Sequence, residues 1–407
     1  MTKFYLTLIL SVACNTALAA AKFPLGPFQL QVIPDIEVTL KYNNNVTLES
    51  HEETSSPVTI LRPQVTLLSQ QRTQSYSVSL GTQIGYYANS SVDDYLDLFL
   101  KGNANRQFGP AVNLSLNAAY MRGHDQRGST DRGIHVGDQR EPDTWDDFSV
   151  NGLLQYGRKD RIGFDAEIGY NTRSYDDFIY EEKMDDKNQT DLTGRAYYRI
   201  LPKTRLFFEA SYSMIKYQNP NPDARSDSDV SNYSVGATWT ATAKTKGTVQ
   251  VGYLTKEFDS SSDNFEKFTG TSWQIGVDWN PMPRSTVNFY TGRYTNDTTG
   301  IHSGGLQDTQ DFSVNWTHNW RPRLSTKAGF YWAQTDYPGG LRKQIGLAER
   351  SDDTFNFDLG VNYQLLRWGN LTAGLTAGVS FTERDSNLDS DDYDQQIYYI
   401  TFQAAFK

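Results

Sequence analysis

The 407-residue chain has one cysteine, Cys14, and five histidines. A lone cysteine makes no intrachain disulfide and offers no thiolate pair for a metal or redox site. His51, His124, His135, His302 and His318 are scattered along the chain. No His-Glu-x-x-His, Gly-x-Ser-x-Gly or other close Ser/His/Asp spacing occurs, so no catalytic residue, metal centre or cofactor is expected. A membrane phospholipase would gather Ser, His and Asn at an outer rim, and His318 lies at the wrong end of its segment for that. Positive charge is also scarce. Lys and Arg total 38 against 48 Asp and Glu, and the net charge of −10 argues against general nucleic-acid binding.

Long hydrophobic runs are missing too, with one exception near the start. Lys3 is followed by an apolar stretch over 4–13 and then by "NTALAAAK". That pattern reads as a secretory signal peptide cleaved after Ala19 or Ala21, and it is too short to span a bilayer as a helix. Cys14 falls inside it, with Ser11 where a lipobox wants a large aliphatic residue. The expected organisation is a signal peptide at 1–21, a short periplasmic segment at 22–35 with no plug domain, and a single barrel domain at 36–407.

What the chain does have is aromatic residues: 25 Tyr, 21 Phe and 8 Trp. Yet hydrophobic residues reach only 38% and mean hydropathy is −0.60. Such a chain is either a large soluble β protein or a transmembrane β-barrel, in which only alternate residues meet lipid and average hydropathy stays low. Period-two alternation recurs almost everywhere. "RIGFDAEIGY" sets Ile162, Phe164, Ala166, Ile168 and Tyr170 against Gly163, Asp165, Glu167 and Gly169, and "SWQIGVDW" sets Trp273, Ile275, Val277 and Trp279 against Gln274, Gly276 and Asp278. A strand with one greasy and one wet face is the unit.

Eighteen such segments start near Ile36, Val58, Thr73, Val92, Pro110, Asp143, Asp160, Lys187, Lys203, Asp227, Lys244, Lys267, Arg284, Gln307, Pro322, Ser351, Gly369 and Asp392. Their links alternate between tight ("QFGP", "LPKTR", "NPMPRS", "LRWGN") and long ("GHDQRGSTDRGIHVGDQREP"). Short turns at one end and long loops at the other are the plan of an antiparallel outer-membrane barrel rather than of a Greek-key sandwich. The chain ends "YYITFQAAFK", an alternating strand with a penultimate aromatic, of the kind read by barrel assembly machinery. It should close the barrel against the first strand, because an open edge in lipid leaves backbone groups unpaired.

A barrel this wide encloses a lumen that side chains do not fill. The pore-lining candidates are Asp165, Glu167, Arg173, Asp191, Arg195, Tyr197, Arg199, Glu209, Asp278, Tyr290, Tyr331 and Asp358. Hydroxyls and amides surround them. The charges either meet a substrate or pair across the wall and stiffen it. The tight turns are basic, with Arg158, Lys203, Arg205 and Lys246 among them, and the long-loop ends are acidic. A basic periplasmic ring suits an acidic partner or is simply solvated; an acidic rim suits divalent cations bridging lipopolysaccharide in the outer-membrane lipid. The loops over 124–142 and 338–351 are candidate gates, the second with a short helix in "LRKQIGLAER".

Two stretches carry a family resemblance. "IPDIEVTLKYNNNV", with Pro34, Asn44, Asn45 and Val46, is similar to the opening strand of the putative β-barrel porin-2 type family, although Asn44 stands where Asp is commoner. "YYANSSVDDYLDL", over 86–98, resembles the family's next hairpin. The resemblance implies an outer-membrane porin of about 18 strands in a Gram-negative envelope, often tied to exopolysaccharide and capsule production. It further implies work alongside a periplasmic polysaccharide export protein. The reading is an exit channel for an exopolysaccharide. A general or oligosaccharide-selective diffusion porin, and an adhesin or receptor whose loops do the work, remain alternatives.

Overall fold

The computed structural model describes residues 22–25, 28–129, 141–176, 185–219, 227–240, 244–259, 267–297, 306–339, 346 and 348–406. Residues 1–21, assigned above to the signal peptide, lie outside them. Among the described residues no helix is long and apolar enough to cross a membrane, and strands do the crossing instead.

The strands are β1 (Lys22–Leu25), β2 (Phe28–Asn43), β3 (Ser56–Gln70), β4 (Gln74–Tyr87), β5 (Tyr95–Phe108) and β6 (Val112–His124). They continue as β7 (Thr144–Tyr156), β8 (Ile162–Tyr175), β9 (Lys187–Leu201), β10 (Thr204–Tyr217), β11 (Ser228–Trp239), β12 (Thr245–Phe258) and β13 (Lys267–Met282). The last six are β14 (Ser285–Asn296), β15 (Gln307–Arg321), β16 (Leu324–Tyr337), β17 (Arg350–Trp368), β18 (Leu371–Ser386) and β19 (Tyr393–Phe406). From β2 onward each strand pairs antiparallel with the next, and β19 returns to β2 through Ile397↔Asn43 to Ala405↔Asp35. The result is a closed antiparallel barrel of eighteen strands, with β1 as a short hairpin arm on β2.

Most strands begin within a few residues of the positions read from alternation. The first does not: β2 starts at Phe28 rather than Ile36, so residues 28–35 are already strand. The missed signal is that alternation runs unbroken through Leu30, Val32, Pro34, Ile36 and Val38. Pro34 is tolerated because the β19 pairing stops at Asp35, so its missing N–H leaves no gap in that ladder. Pro63 makes the complementary case. The β3–β4 register skips from Leu61↔Ile84 to Gln64↔Gly81, across the residue that cannot donate.

One face of the wall is apolar and exposed: Leu80, Leu98, Phe164, Ile168, Phe208, Val251, Phe357 and Ile400 all point outward. A contiguous apolar surface of this extent is not left in water. At the tight-turn end, Phe108, Tyr156, Tyr198, Trp279, Trp320 and Trp368 form an outward girdle, Trp368 being 80% exposed. Aromatic belts of this kind sit at the boundary between lipid and water. The same end carries four register shifts, at Thr204/Arg205, Trp279/Met282, Asn319/Arg321 and Gln364/Leu366. Bulges at a rim release the ladder into its turn. Gly157 shows why one such turn needs glycine: its φ is +68°, and a Cβ there would meet the Ile162 carbonyl oxygen at 2.5 Å.

The inward face carries aromatics laid flat on neighbouring backbone. A Cβ on Gly81 would meet the Phe99 ring at 2.2 Å, and one on Gly378 the Tyr399 ring at 2.5 Å. A ring covering a strand glycine supplies the packing that the glycine lacks and permits the local bend.

The two faces differ in what they accept. Ile400 faces outward at 51% exposure, whereas Gln403 donates to Asp35 and stands in register with Glu37. Ile400→Arg should destabilise the barrel by about 2–4 kcal/mol, as for a cation near the bilayer midplane. Gln403→Arg, set among carboxylates, should change stability little. Urea-unfolding midpoints in lipid vesicles check both, and equal midpoints would contradict the assignment of faces.

Candidate functional site

Strand register puts all twelve sequence-derived candidates on the face opposite the apolar row. Four come together. Tyr197 donates to Asp165 at 3.0 Å, Arg195 donates to Tyr197 at 3.0 Å, and Arg195 is ion-paired with Glu209. Arg195 also lies over the Phe207 ring at 4.9 Å. This chain crosses β8, β9 and β10, and both carboxylates end on donors. The other candidates are held separately. Glu167 accepts from Asn151 at 2.6 Å, and Arg173 is paired with Asp147 at 3.3 Å while covering the Trp145 ring at 4.1 Å. Asp191 accepts from Gln189 and Ser213.

Asp278 is paired with Lys246 at 2.9 Å and accepts from Asn288. Arg199 does something else. It donates to the carbonyls of Asp160, Pro202 and Arg158 at 3.1, 2.9 and 2.6 Å, tying two tight turns together. Tyr290 and Tyr331 are linked through Ser313, the register partner of each. Tyr331 shares a hydrogen bond with Tyr294, a residue the sequence reading overlooked although it lies four positions beyond Tyr290 on the same face. Asp358 stands in register between Gly329 and Ser380.

The long-loop rim has a repeated device. The residue just before a returning strand is acidic, and its carboxylate accepts the backbone N–H where the outgoing strand ends. Asp94 takes Tyr87 N–H at 2.7 Å, Asp186 takes Tyr175 at 2.7 Å, Asp227 takes Tyr217 at 2.8 Å and Asp392 takes Ser386 at 2.6 Å. Each clasp closes a loop mouth with a charge-assisted bond. These four acids therefore have structural partners, and among the described residues no three His, Cys, Asp or Glu side chains are grouped for a metal ion.

The asparagines of "YNNNV" work at the closing seam. Asn44 exchanges bonds with Gln396, through N–H to carbonyl at 3.2 Å and through its side-chain oxygen to Gln396 N–H. Asn45, fully buried, donates to the carbonyls of Glu49 and Asp394 at 2.8 and 3.0 Å. The motif thus extends the β2–β19 pairing past the point where the strands part.

Two sets of contacts tie rim segments together. Of the proposed gates, residues 130–140, 340–345 and 347 lie outside the described residues, and Arg350, placed above in a helix, opens β17. The start of the first gate is visible. Gln126 donates to the Val46 carbonyl at 2.6 Å, and Arg127 forks onto Asp93 at 2.7 and 2.6 Å. Farther along the rim Asp297, just past β14, is ion-paired with Lys187 of β9 at 2.9 Å and with Lys256 of β12, which is 1% exposed. Burial disfavours the charge of Asp297, but two ammonium groups outweigh it and hold the carboxyl well below the usual carboxylate range. Leu306, at the other end of the same loop, is completely buried. Beneath the Asp297 contact lies a cavity of about 410 Å³ reaching Arg173, Gln189 and Ser213.

A closed barrel with an apolar exterior, an aromatic girdle and a polar inner wall defines an outer-membrane β-barrel porin. The chain belongs to the family described as "Putative beta-barrel porin 2", whose model matches residues 20–406. The comparison with curated proteins gives no match. Among solved structures, OpdO of Pseudomonas aeruginosa is 13% identical with a TM-score of 0.48, covering 92% of this chain and 97% of that one. OccAB2 of Acinetobacter baumannii is 11% identical with a TM-score of 0.48, covering 92% and 98%. The FrpB iron transporter of Neisseria meningitidis is 10% identical with a TM-score of 0.49, covering 86% of this chain and 61% of that one. All three TM-scores fall below 0.5.

Asp297→Asn would leave the buried Lys256 and the half-buried Lys187 ammonium groups facing a neutral amide. Breaking a buried pair in this way costs on the order of 3–5 kcal/mol, so the urea midpoint should fall clearly, whereas that of exposed Asp259→Asn should not. Because the folded pKa of Asp297 is depressed, its stabilisation is complete above the unfolded value of about 3.9 and is lost as pH falls through the lower folded value. The difference between wild type and Asp297→Asn should therefore persist from neutral pH down to about pH 4 and shrink only in stronger acid. A difference that vanished by pH 6 would contradict the assignment.

Proposed function

We propose that this porin is an exit channel for an exopolysaccharide, moving polymer passively while its synthesis or a periplasmic polysaccharide export protein supplies direction. The observation that supports this reading best is the chemistry of the inner wall. Many of its charges are held by a counter-charge or by a neighbouring polar side chain, as Glu209 is by Arg195 and Glu167 by Asn151. Between them runs a lattice of hydroxyls and amides bonded across strands, as in Thr39 with Thr401 at 2.8 Å, Asn362 with Thr376 at 2.9 Å and Asn356 with Thr382 at 2.9 Å. Such a surface offers many weak hydrogen bonds and few strong ones, and tyrosine faces such as Tyr290 and Tyr331 suit stacking on sugar rings. A hydrophilic polymer can slide along it without a deep binding well. The candidates Asp165, Glu167, Arg195 and Asp278 then serve mainly to hold the wall's shape.

The test is polysaccharide measured in the medium and in the periplasm of a strain lacking the gene, beside its complemented parent. Loss from the medium with periplasmic accumulation is the expected result. Unchanged secretion combined with slower uptake of small sugars would overturn it in favour of a diffusion porin.

A further inference from the structure

Cations gather on the inner wall at one place in particular. At the tight-turn end of β9–β13, a cavity of about 680 Å³ opens on the inner wall, lined by Arg158, Arg199, Lys203, Arg205 and Lys246 with Asp278 as its one carboxylate. Five cations face one anion in a chain whose net charge is −10. Arg199 and Arg205 are register partners on adjacent strands, and like charges directly opposite destabilise a sheet. At the long-loop rim a carboxylate separates two such groups, Asp297 lying between Lys187 and Lys256. Here it does not.

The two arginines are nonetheless held in place by groups that leave their charge unneutralised. Arg199 is fixed by three turn carbonyls, and Arg205 lies over the Tyr197 ring at 4.3 Å. Lys246 is paired with Asp278 at 2.9 Å. Arg158 and Lys203 have no carboxylate partner among the described residues and project from the neighbouring turns. Beside the cations the cavity offers Gln274, Thr248 and Tyr290, which are hydrogen-bonding and stacking groups of the kind sugars use. Prepositioned guanidinium groups next to neutral polar groups match a saccharide bearing carboxylates, since arginine binds carboxylate bidentately.

We infer that this cavity is an entry site for anionic saccharide, with Arg205, Lys246, Arg158 and Lys203 meeting carboxylates on the sugar units of a polymer arriving from the periplasm. The inference rests on the exit-channel reading and adds the charge of the cargo. Attraction at the mouth concentrates the polymer end, and the paired wall beyond lets it move on.

The experiment is single-channel recording of the full-length protein in planar bilayers, with tetragalacturonate as the anionic probe and maltotetraose as the neutral one. Tetragalacturonate added on the tight-turn side should interrupt the current at about tenfold lower concentration than maltotetraose, with the difference shrinking at high salt. Arg205→Gln/Lys246→Gln should bring the two blocking concentrations together. Arg158→Gln/Lys203→Gln, confined to exposed turns, should narrow the gap and guards against a folding defect in the first variant. Equal block of the wild type by both sugars, or a preference that survives both double variants, would overturn the inference. That includes the case in which the basic mouth docks an acidic protein. A strain carrying Arg205→Gln/Lys246→Gln separates the two readings: normal secretion alongside equal block leaves the exit channel standing and removes only the anionic cargo.

Discussion

Backbone hydrogen bonding in a medium without water is the constraint on which the rest depends. Each strand edge in lipid must be paired, so β19 has to find β2 across almost the whole length of the chain, and the pairs Ile397↔Asn43 to Ala405↔Asp35 close the cylinder. Once that seam is made, alternation decides everything radial: even-numbered residues of β19 meet lipid and odd-numbered ones meet the interior. The seam is reinforced where it would fray. Asn44 and Asn45 continue the ladder onto Asp394 and Gln396 after the two strands diverge.

The two ends of the barrel solve different problems. At the tight-turn end the chain reverses in a few residues, with bulges and Gly157 absorbing the geometry and an outward aromatic girdle fixing the depth in the membrane. At the long-loop end the chain wanders, and a carboxylate at each of several loop exits clasps the strand it left. Two of the acids at the long-loop ends, Asp186 and Asp392, are thereby spent on backbone N–H groups. Charge-assisted contacts then tie rim segments together, Arg127 with Asp93 and Asp297 with its two lysines. Between these ends lies a wall many of whose ionic groups are held by counter-charges or polar neighbours, and the cations near Arg199 and Arg205 form a cluster with a position, the inner mouth on the tight-turn side.

Much of this was legible in the sequence because period two survives in every strand and needs no partner to be seen. Strand number, loop asymmetry, the closing role of "YYITFQAAFK" and the face of all twelve wall candidates follow from it. The start of β2 was not, because Pro34 reads as a strand boundary unless one knows that the neighbouring ladder stops at Asp35. Which charges meet was also out of reach. Arg195 pairs with Glu209 rather than with its register partner across β8, Asp165, which Tyr197 takes instead. Such choices depend on side-chain reach across three strands and not on spacing along one. The Asp clasps did leave a signal, an acidic residue directly before the returning strand at Asp94, Asp186, Asp227 and Asp392, but its meaning appears only when the two strand ends are side by side.

The central claim is that the polar wall bounds a passage occupied by outgoing polymer. The most direct test exploits the single cysteine: with Cys14 in the segment expected to be removed, cysteines can be introduced one at a time. In secreting cells, a charged, membrane-impermeant thiol reagent should label Glu167→Cys and Thr193→Cys but not Phe164→Cys or Ile168→Cys, and labelling of the first pair should rise when polymer synthesis is switched off. Labelling of the lipid-side pair instead, or identical labelling with and without polymer, would contradict the account.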